Sequence, residues 1–157
     1  MDKKEVLLKE IDLIQSCINR MAQNSFLVKG WTISLIAVIL ALLPEKIDIK
    51  ILCAIGLVAT LCFWFLDAFY LKMERLYRWK YEWVVLNRLH SDEYFYDLNP
   101  HNSKMWCLDK IGKVKKKPCI VRIMFTKTLV PVYLTLVVFL IGVLVYKFYP
   151  SLVMCCK

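Results

Sequence analysis

The stretch ILCAIGLVATLCFWFLDAFYLKMERLYRWKYEWVV, residues 51–85, decides the fold of this chain. From Ile51 to Leu71 it is apolar apart from Asp67, and its length of about 20 residues is enough to cross ~30 Å of hydrocarbon. Charged and aromatic side chains alternate after Leu71, and no Pro or Gly interrupts them. The sequence therefore predicts one unbroken helix of about 40 residues, from Ile51 to about His90, that leaves the membrane part-way along its length.

Two further apolar runs accompany this helix. One extends from Phe26 to Leu43 and contains a single charge, Lys29, and the other extends from Leu129 to Tyr146. Hydrophobic residues make up 59% of the 157 residues and the mean hydropathy is +0.52, which exceeds the usual composition of a soluble domain. The pattern predicts an all-α membrane protein with three transmembrane helices.

Charge sets the predicted orientation of these spans. The stretch from Lys72 to Lys127 holds 13 Lys and Arg against 6 Asp and Glu, a net charge of +7, whereas the loop at 44–50 contains only Lys46 and Lys50 as bases. Because basic loops stay in the cytoplasm, the long middle segment and the N-terminus are predicted to be cytoplasmic and the C-terminus external. The predicted order is an amphipathic helix (1–25), a transmembrane hairpin (26–71), a basic cytoplasmic helical segment (72–128), a third transmembrane helix (129–149) and an outer tail (150–157).

The first twenty-five residues carry an apolar stripe. Leu7, Ile11, Ile14, Ile18 and Met21 recur at steps of four and three, which is typical of a helix that packs through one face. About two heptads are too short to be stable alone. Three partners are consistent with the stripe: the chain's own cytoplasmic helix, a second copy of the chain, or the membrane surface.

Asp67 has two interpretations at the predicted edge of the hydrocarbon. An ionised carboxylate there is costly unless it is paired or faces water. It either pairs with Lys29, or with a basic residue one turn on, and marks the end of the span. Alternatively, in an assembly of several chains, one such acid per chain forms a ring at a pore mouth that selects cations.

The positive charge of the basic cytoplasmic segment is expected to attract an anionic partner. Anionic lipid, a nucleotide or oligonucleotide, and an acidic protein all fit a concentration of positive charge. Aromatic side chains among the bases favour stacked nucleobases or protein packing. The candidate ligand-binding residues are Arg75, Arg78, Lys80, Lys113, Lys115, Lys116, Lys117 and Arg122, and the candidate stacking or packing residues are Tyr77, Trp79, Tyr81 and Trp83.

The sequence contains no pattern that is typical of a catalytic or metal-binding site. His90 and His101 lack helical ligand spacing, and no nucleotide-binding glycine loop, HExxH or GxSxG occurs. The cysteines show no CxxC spacing, so no zinc site is indicated. We expect no enzymatic activity, no metal and no cofactor.

The stretches NRMAQNSFLVKGWTISLIAVILAL (19–42) and FWFLDAFYLKMERLYRWKYEWVV (63–85) resemble small bacterial SLATT-like membrane effectors of anti-phage defence, and the transmembrane effectors of Hailong systems. The resemblance implies an inner-membrane protein, a tetrameric ion channel held shut by an oligodeoxyadenylate, and a partner nucleotidyltransferase. A third span and a polybasic linker depart from a plain two-span pattern.

Two classes of function remain open from the sequence. One is a homo-oligomeric membrane effector, an ion channel gated by an anionic nucleotide or oligonucleotide at its basic region. The other is a non-conducting membrane anchor or assembly subunit that recruits a soluble enzyme through the N-terminal helix and the aromatic face.

Overall fold

The computed structural model describes residues 3–41, 49–106 and 115–155, with side chains as far as residue 146. Helices make up most of these ranges, and no strand occurs in them. The prediction of an all-α protein is confirmed. The elements are α1 (Lys3–Ala41), α2 (Ile49–Asn87), a 3₁₀ turn (Ser103–Met105), α3 (Ile120–Met124) and α4 (Val130–Cys155).

Helix α2 confirms the prediction of an unbroken helix through residues 51–85. It has 39 residues, about 58 Å at 1.5 Å per residue. Glu74 and Arg78, one turn apart, form the ion pair expected from their spacing, with 2.7 Å between a guanidinium nitrogen and a carboxylate oxygen. The helix ends where the amides of His90 and Ser91 both bond to the carbonyl of Asn87.

Helix α1 is also continuous over 39 residues. The sequence predicts an amphipathic helix over 1–25 followed by a span, and the structure joins the two without a break. No Pro lies within α1, and its one glycine, Gly30, lies on an open face where an added Cβ atom would have nothing within 4 Å. Nothing in the backbone chemistry therefore ends the helix at the change from polar to apolar residues.

Helices α1 and α2 are both long and apolar enough to cross a membrane, with mean hydropathies of 1.6 and 2.3 over their most apolar windows. Helix α4 has 26 residues, and its part with described side chains, Val130–Tyr146, is a shorter apolar helix. The helix continues into the stretch 150–155, which the sequence predicts as a tail. Among the residues that the structure describes there are thus two candidate spans.

The chain divides into two compact units, and each long helix contributes to both. The polar unit comprises Met1–Ser25 and Phe69–Ile120, and the apolar unit comprises Phe26–Ala68 and Val121–Lys157. The first division falls where the sequence predicts the start of the hairpin. The later two fall at Ala68 and Ile120, somewhat before the predicted ends of the hairpin and of the basic segment.

Three helices meet in the apolar unit around Gly56 of α2. A Cβ atom at this glycine would lie 3.3 Å from Ile39 of α1 and 3.4 Å from Leu140 of α4. The absence of a side chain therefore lets the three helices approach closely. Large apolar side chains on the outer faces are exposed, among them Trp31, Val58 and Val138, as expected for surfaces that face lipid.

The N-terminal stripe packs within its own chain. Ile14 is buried in a cluster with Tyr77 and Val84 of α2 and with Met105, and Leu7, Ile18 and Met21 pack against this cluster. Three partners were predicted for the stripe, and in the structure it contacts the chain's own helix α2. This packing supplies the tertiary support that a short helix needs.

Candidate functional site

Asp67 lies at the centre of a polar cluster inside the apolar unit. Its side chain is 0% exposed, and the ammonium of Lys29 on α1 lies 2.7 Å from its Oδ2 atom. The hydroxyl of Tyr133 on α4 donates a hydrogen bond to the same oxygen over 3.0 Å. We call Lys29, Asp67 and Tyr133 the intramembrane cluster, after the two candidate spans that contain Lys29 and Asp67, and it joins the three apolar helices.

Trp64 fixes the position of Tyr133 in this cluster. The two rings stack with centroids 5.8 Å apart and 6° between their planes. One turn of helix separates Trp64 from Asp67, so both side chains reach the same region of α4. The indole N–H of Trp64 donates to the carbonyl of Met124 over 3.0 Å, which anchors the ring at its polar end.

The cluster confirms the expected pairing of Asp67 with Lys29. A buried carboxylate without a partner would be expensive, and two donors on one oxygen offset its desolvation. The Lys29 side chain is 25% exposed, so this base is less completely buried than its partner Asp67. The pore-mouth role of Asp67 stays a prediction.

Other polar groups in the apolar unit bond to their own helices. The hydroxyls of Thr32 and Thr60, both fully buried, donate to carbonyls one turn earlier over 2.7 Å. Thr135 does the same on α4. The two buried hydroxyls therefore present little polar surface, and among the residues with described side chains the intramembrane cluster holds the buried charge of this unit.

A second buried ion pair, between Glu10 and Arg88, lies in the polar unit. Both oxygens of the Glu10 carboxylate accept from the Arg88 guanidinium in a bidentate arrangement. The same guanidinium donates to the carbonyls of Ser91, Glu93 and Tyr94. Arg88 thus connects α1, the end of α2 and the loop that follows.

Aromatic rings enclose the Arg88 guanidinium. Its central carbon lies 4.8 Å from the ring centroid of Phe95 and 5.7 Å from that of Trp83, within the range of cation–π attraction. Tyr94 and Tyr96 adopt φ values of 57° and 49°, a left-handed conformation that costs a bulky residue about 1–3 kcal/mol. Their backbones bond to Arg88 and Glu10, which hold the loop in this conformation.

Sequence reasoning missed the Glu10–Arg88 pair and Tyr133. The partners of the first are 78 positions apart and those of the Asp67–Tyr133 bond are 66 apart, so no local spacing connects them. Glu10 interrupts an amphipathic helix among other charges and looks like a surface residue. Of these residues, only Tyr133 could have been found from its local sequence. It lies one turn into an apolar run, where its hydroxyl needs a hydrogen-bond partner.

Lys80, a predicted ligand residue, is buried instead of exposed. Its ammonium donates to the carbonyl of Asn99 over 3.0 Å and lies 3.3 Å from Asp97. Burial lowers the pKa of Lys80 below its ordinary value, against the opposing attraction of Asp97. For Asp97, burial acts to raise the pKa, but hydrogen bonds from Asn102 and Asn99 and the Lys80 charge lower it overall. Lys80 therefore holds the loop at 97–102 and offers no free surface to a ligand.

The other predicted bases differ in exposure. Lys116, Lys117 and Arg122 are exposed and Arg75 is half-buried, while Arg78 is exposed and bonds to Glu74. Lys113 lies outside the described residues. Lys115 bonds to Glu82 over 2.9 Å and lies 5.4 Å from the ring centroid of Trp79.

His101 reports a concentration of positive charge in the polar unit. Burial lowers the pKa of its imidazole, and the charges of Lys117 and Lys72 lower it further. Lys72 and Lys117 therefore act on the same exposed side chain, although only Lys117 is a predicted ligand residue. We call Lys72, His101 and Lys117, together with Lys116, which is exposed and next to Lys117 in the sequence, the basic surface.

The four predicted aromatic residues pack within the polar unit. Tyr77 is buried in the cluster with Ile14, and Tyr81 and Trp83 pack against it. The Trp79 ring meets Trp106 edge-on, with centroids 5.7 Å apart. Of their two predicted roles, packing is the one the contacts support.

No family model, curated protein or solved structure matches this chain. The functional argument therefore depends on the two buried ion pairs and the exposed bases.

Proposed function

We propose that this chain is a membrane effector that assembles with copies of itself and controls the passage of ions, in response to an anionic ligand bound at its basic surface. The observation that carries the proposal is the intramembrane cluster. Ionisable residues within membrane spans are rare, and they mark ion or proton pathways and their gates. A chain that served as an inert anchor would have no need of a buried acid and base at this position.

The proposed topology has three crossings, by α1, α2 and α4, in the inner membrane of a bacterial cell. The excess of Lys and Arg in the polar unit supports its proposed cytoplasmic position, because basic loops stay in the cytoplasm. Asp67 contacts Tyr133 and Gly56 lies beside Leu140, so α4 runs antiparallel to α2 within the apolar unit. Such an arrangement fits a helix that crosses the bilayer in the reverse direction.

Conduction is proposed for an assembly, with a tetramer as the form that the resemblance implies. Because the buried hydroxyls of Thr32 and Thr60 bond to their own helices, the described part of a single chain offers little polar lining for a channel. In the resting state the intramembrane cluster neutralises Asp67. Separation of the helices would expose the carboxylate to the pathway, where an acid attracts cations.

Gating is assigned to an anionic nucleotide or oligonucleotide, made by a partner nucleotidyltransferase. Lys116 and Lys117 are exposed, and their charges would attract phosphates. A ligand shifts the balance between closed and open states only through its different affinity for the two. The proposal therefore requires the basic surface to change its exposure or spacing between the states.

The alternative of a recruiting anchor loses its proposed docking surfaces. It relied on the N-terminal stripe and on the aromatic face of α2, and both are packed against each other. We therefore retain the effector as the single proposal.

The proposal is tested by ion flux. Purified protein in liposomes is expected to pass K⁺, and Asp67→Asn is expected to lower the permeability ratio of K⁺ to Cl⁻. Asp12→Asn, the same change at an exposed residue of the polar unit, serves as the control and should leave the ratio unchanged. Tight vesicles for the wild type and both variants, at confirmed insertion, would contradict the proposal.

The ligand is tested by charge reversal in the same liposomes. Short single-stranded oligonucleotides are expected to change the K⁺ flux of the wild type, and Lys116→Glu with Lys117→Glu should remove the response. Lys104→Glu, at another exposed lysine of the polar unit, is the control. A response retained by the double variant would place the ligand elsewhere.

A further inference from the structure

A short segment, residues 121–128, leads into α4 and presents two opposite faces. Ile123 of α3 is 1% exposed, whereas Val121 and Phe125 are 59% and 67% exposed. Val121 and Phe125 are four positions apart and so share a side of this turn of helix. The segment, called the entry segment here, is thus held by one face and open on the other.

The entry segment is fixed at the level of a candidate span. The carbonyl of Met124 accepts the indole N–H of Trp64 over 3.0 Å, and the Phe125 ring meets Trp64 edge-on with centroids 5.6 Å apart. Trp64 belongs to the apolar part of α2, one turn before Asp67. The exposed side of the entry segment therefore lies beside the end of the membrane-crossing part of α2.

Internal bonds close the turn that follows α3. The Thr126 hydroxyl donates to the carbonyl of Ile123 over 2.7 Å, and the amide of Leu129 donates to the carbonyl of Thr126 over 3.1 Å. Leu129 is fully buried. Bonds within the protein thus order the backbone of the segment, while most of the Val121 and Phe125 side chains stays exposed.

The charge of the segment is entirely positive. Arg122 and Lys127 are exposed, and no Asp or Glu follows Asp109 in the sequence. On α2 the apolar side chains Leu61 and Phe65, close to Trp64 in the sequence, are each 51% exposed. The open face of the entry segment therefore exposes apolar side chains, as α2 does, and it also carries two positive charges.

We propose that the entry segment is a binding surface for anionic phospholipid. Val121 and Phe125 lie among the upper acyl chains, where apolar area is removed from water, and Arg122 and Lys127 contact headgroup phosphates. The surface depends on the membrane placement of the proposed function and is independent of ion conduction.

The proposal is tested by cross-linking with the full chain in phosphatidylcholine nanodiscs. A photoactivatable phosphatidylglycerol is expected to label peptides that contain residues 121–128. Unlabelled phosphatidylglycerol should compete, whereas phosphatidylcholine and soluble glycerol phosphate at the same concentration should not. Because each base near a membrane contributes about 1 kcal/mol, Arg122→Gln with Lys127→Gln should raise the half-competing phosphatidylglycerol concentration about 30-fold.

Control variants separate this surface from general basicity. Lys9→Gln with Lys104→Gln removes two exposed bases of the polar unit and should leave the competition unchanged. Equal labelling by a phosphatidylcholine probe, competition by glycerol phosphate, or no effect of the entry-segment variant would overturn the proposal. Cross-links from one copy's entry segment to another copy would also overturn it, because they would identify a protein neighbour.

The outcome is distinguishable from that of the flux experiment. Lipid-specific labelling with tight liposomes would support the entry segment and contradict conduction. Flux without such labelling would contradict the entry segment and leave conduction supported.

Discussion

The Lys29–Asp67 pair combines a large desolvation cost with a close attraction. Asp67 is 0% exposed and accepts both Lys29 and Tyr133 on one oxygen. Loss of one partner of a buried pair leaves the other charge unpaired, whereas replacement of both by apolar residues is often neutral. The stabilisation by this cluster is therefore conditional on both charges being present.

We predict a strongly non-additive double-mutant cycle at this pair. Asp67→Leu is expected to lower the free energy of unfolding in detergent by about 3 kcal/mol, because Lys29 loses its partner. Lys29→Met with Asp67→Leu together should recover most of this loss. Thermal and denaturant unfolding monitored by circular dichroism measures both. Additive losses would mean that the two charges do not interact.

Arg88 is expected to be the most sensitive base of the polar unit. Arg88→Met removes the partner of Glu10 and of three backbone carbonyls, and we predict a loss of about 3–5 kcal/mol in the free energy of unfolding. Arg78→Met is the control, since its pair with Glu74 joins neighbouring turns of one helix and contributes about 0.5 kcal/mol. Similar losses for the two variants would contradict the assignment.

At this scale the sequence predicts some partners and misses others for a physical reason. Lys29 and Asp67 can be paired because each is the lone charge near one end of an apolar run. Glu10 and Arg88 each lie among other charges, so nothing local distinguishes a buried bidentate pair from a solvated one. Lys80 looks like a ligand residue for the same reason. Its partners, the carbonyl of Asn99 and the carboxylate of Asp97, come from a loop that is distant in the sequence.

At the scale of elements, helix continuity was predictable and helix contacts were not. The absence of Pro and Gly after Gly56 predicts the length of α2, and the structure has it. The sequence predicts two separate segments in α1 because the composition changes from polar to apolar at Phe26. A change in composition does not by itself end a helix, and α1 is continuous. Contacts between helices depend on which surfaces face each other. The stripe from Leu7 to Met21 shows that one face of α1 packs, but it does not identify which of the three partners it packs against.

Gly56 tests the packing of the three apolar helices. Gly56→Leu is expected to lower the free energy of unfolding by about 1–3 kcal/mol, because new atoms must displace Ile39 or Leu140. Gly142→Leu is the matched control, since nothing lies within 4 Å of a Cβ at that position. Unfolding of both variants in the same detergent measures the difference, and equal stability would contradict the close contact.

The loop at 97–106 is expected to lose stability in acid. The native pKa of Asp97 lies below its ordinary value of 3.8, so its contribution is present above that value and is lost as the pH falls through the native pKa. Amide hydrogen exchange of Asn102 and Met105 should show decreasing protection over this window. Asp97→Asn should remove the pH dependence, while Asp92→Asn, at an exposed pair with Lys3, should keep it.

For the whole molecule, the sequence predicts the alternation of apolar runs with charged stretches, and the structure resolves it into two units. The predicted boundary lies after residue 128, whereas the division between the units lies after Ile120, so residues 121–128 belong to the apolar unit. Charge and hydropathy report average surroundings, whereas the bond from Trp64 to Met124 is a single contact that they do not encode. The proposed third crossing depends on α4, whose apolar part begins beside the intramembrane cluster.

The most direct measurement of this topology is lysine labelling with a membrane-impermeant reagent in sealed vesicles of both orientations, read by mass spectrometry. We predict that Lys104 and Lys117 are modified only in inside-out vesicles. Lys50 and the C-terminal Lys157 should be modified only in right-side-out vesicles, because three crossings place them on the opposite side. Modification of Lys157 together with Lys104 would contradict the third crossing, and modification of Lys50 together with Lys104 would contradict the membrane placement of α2.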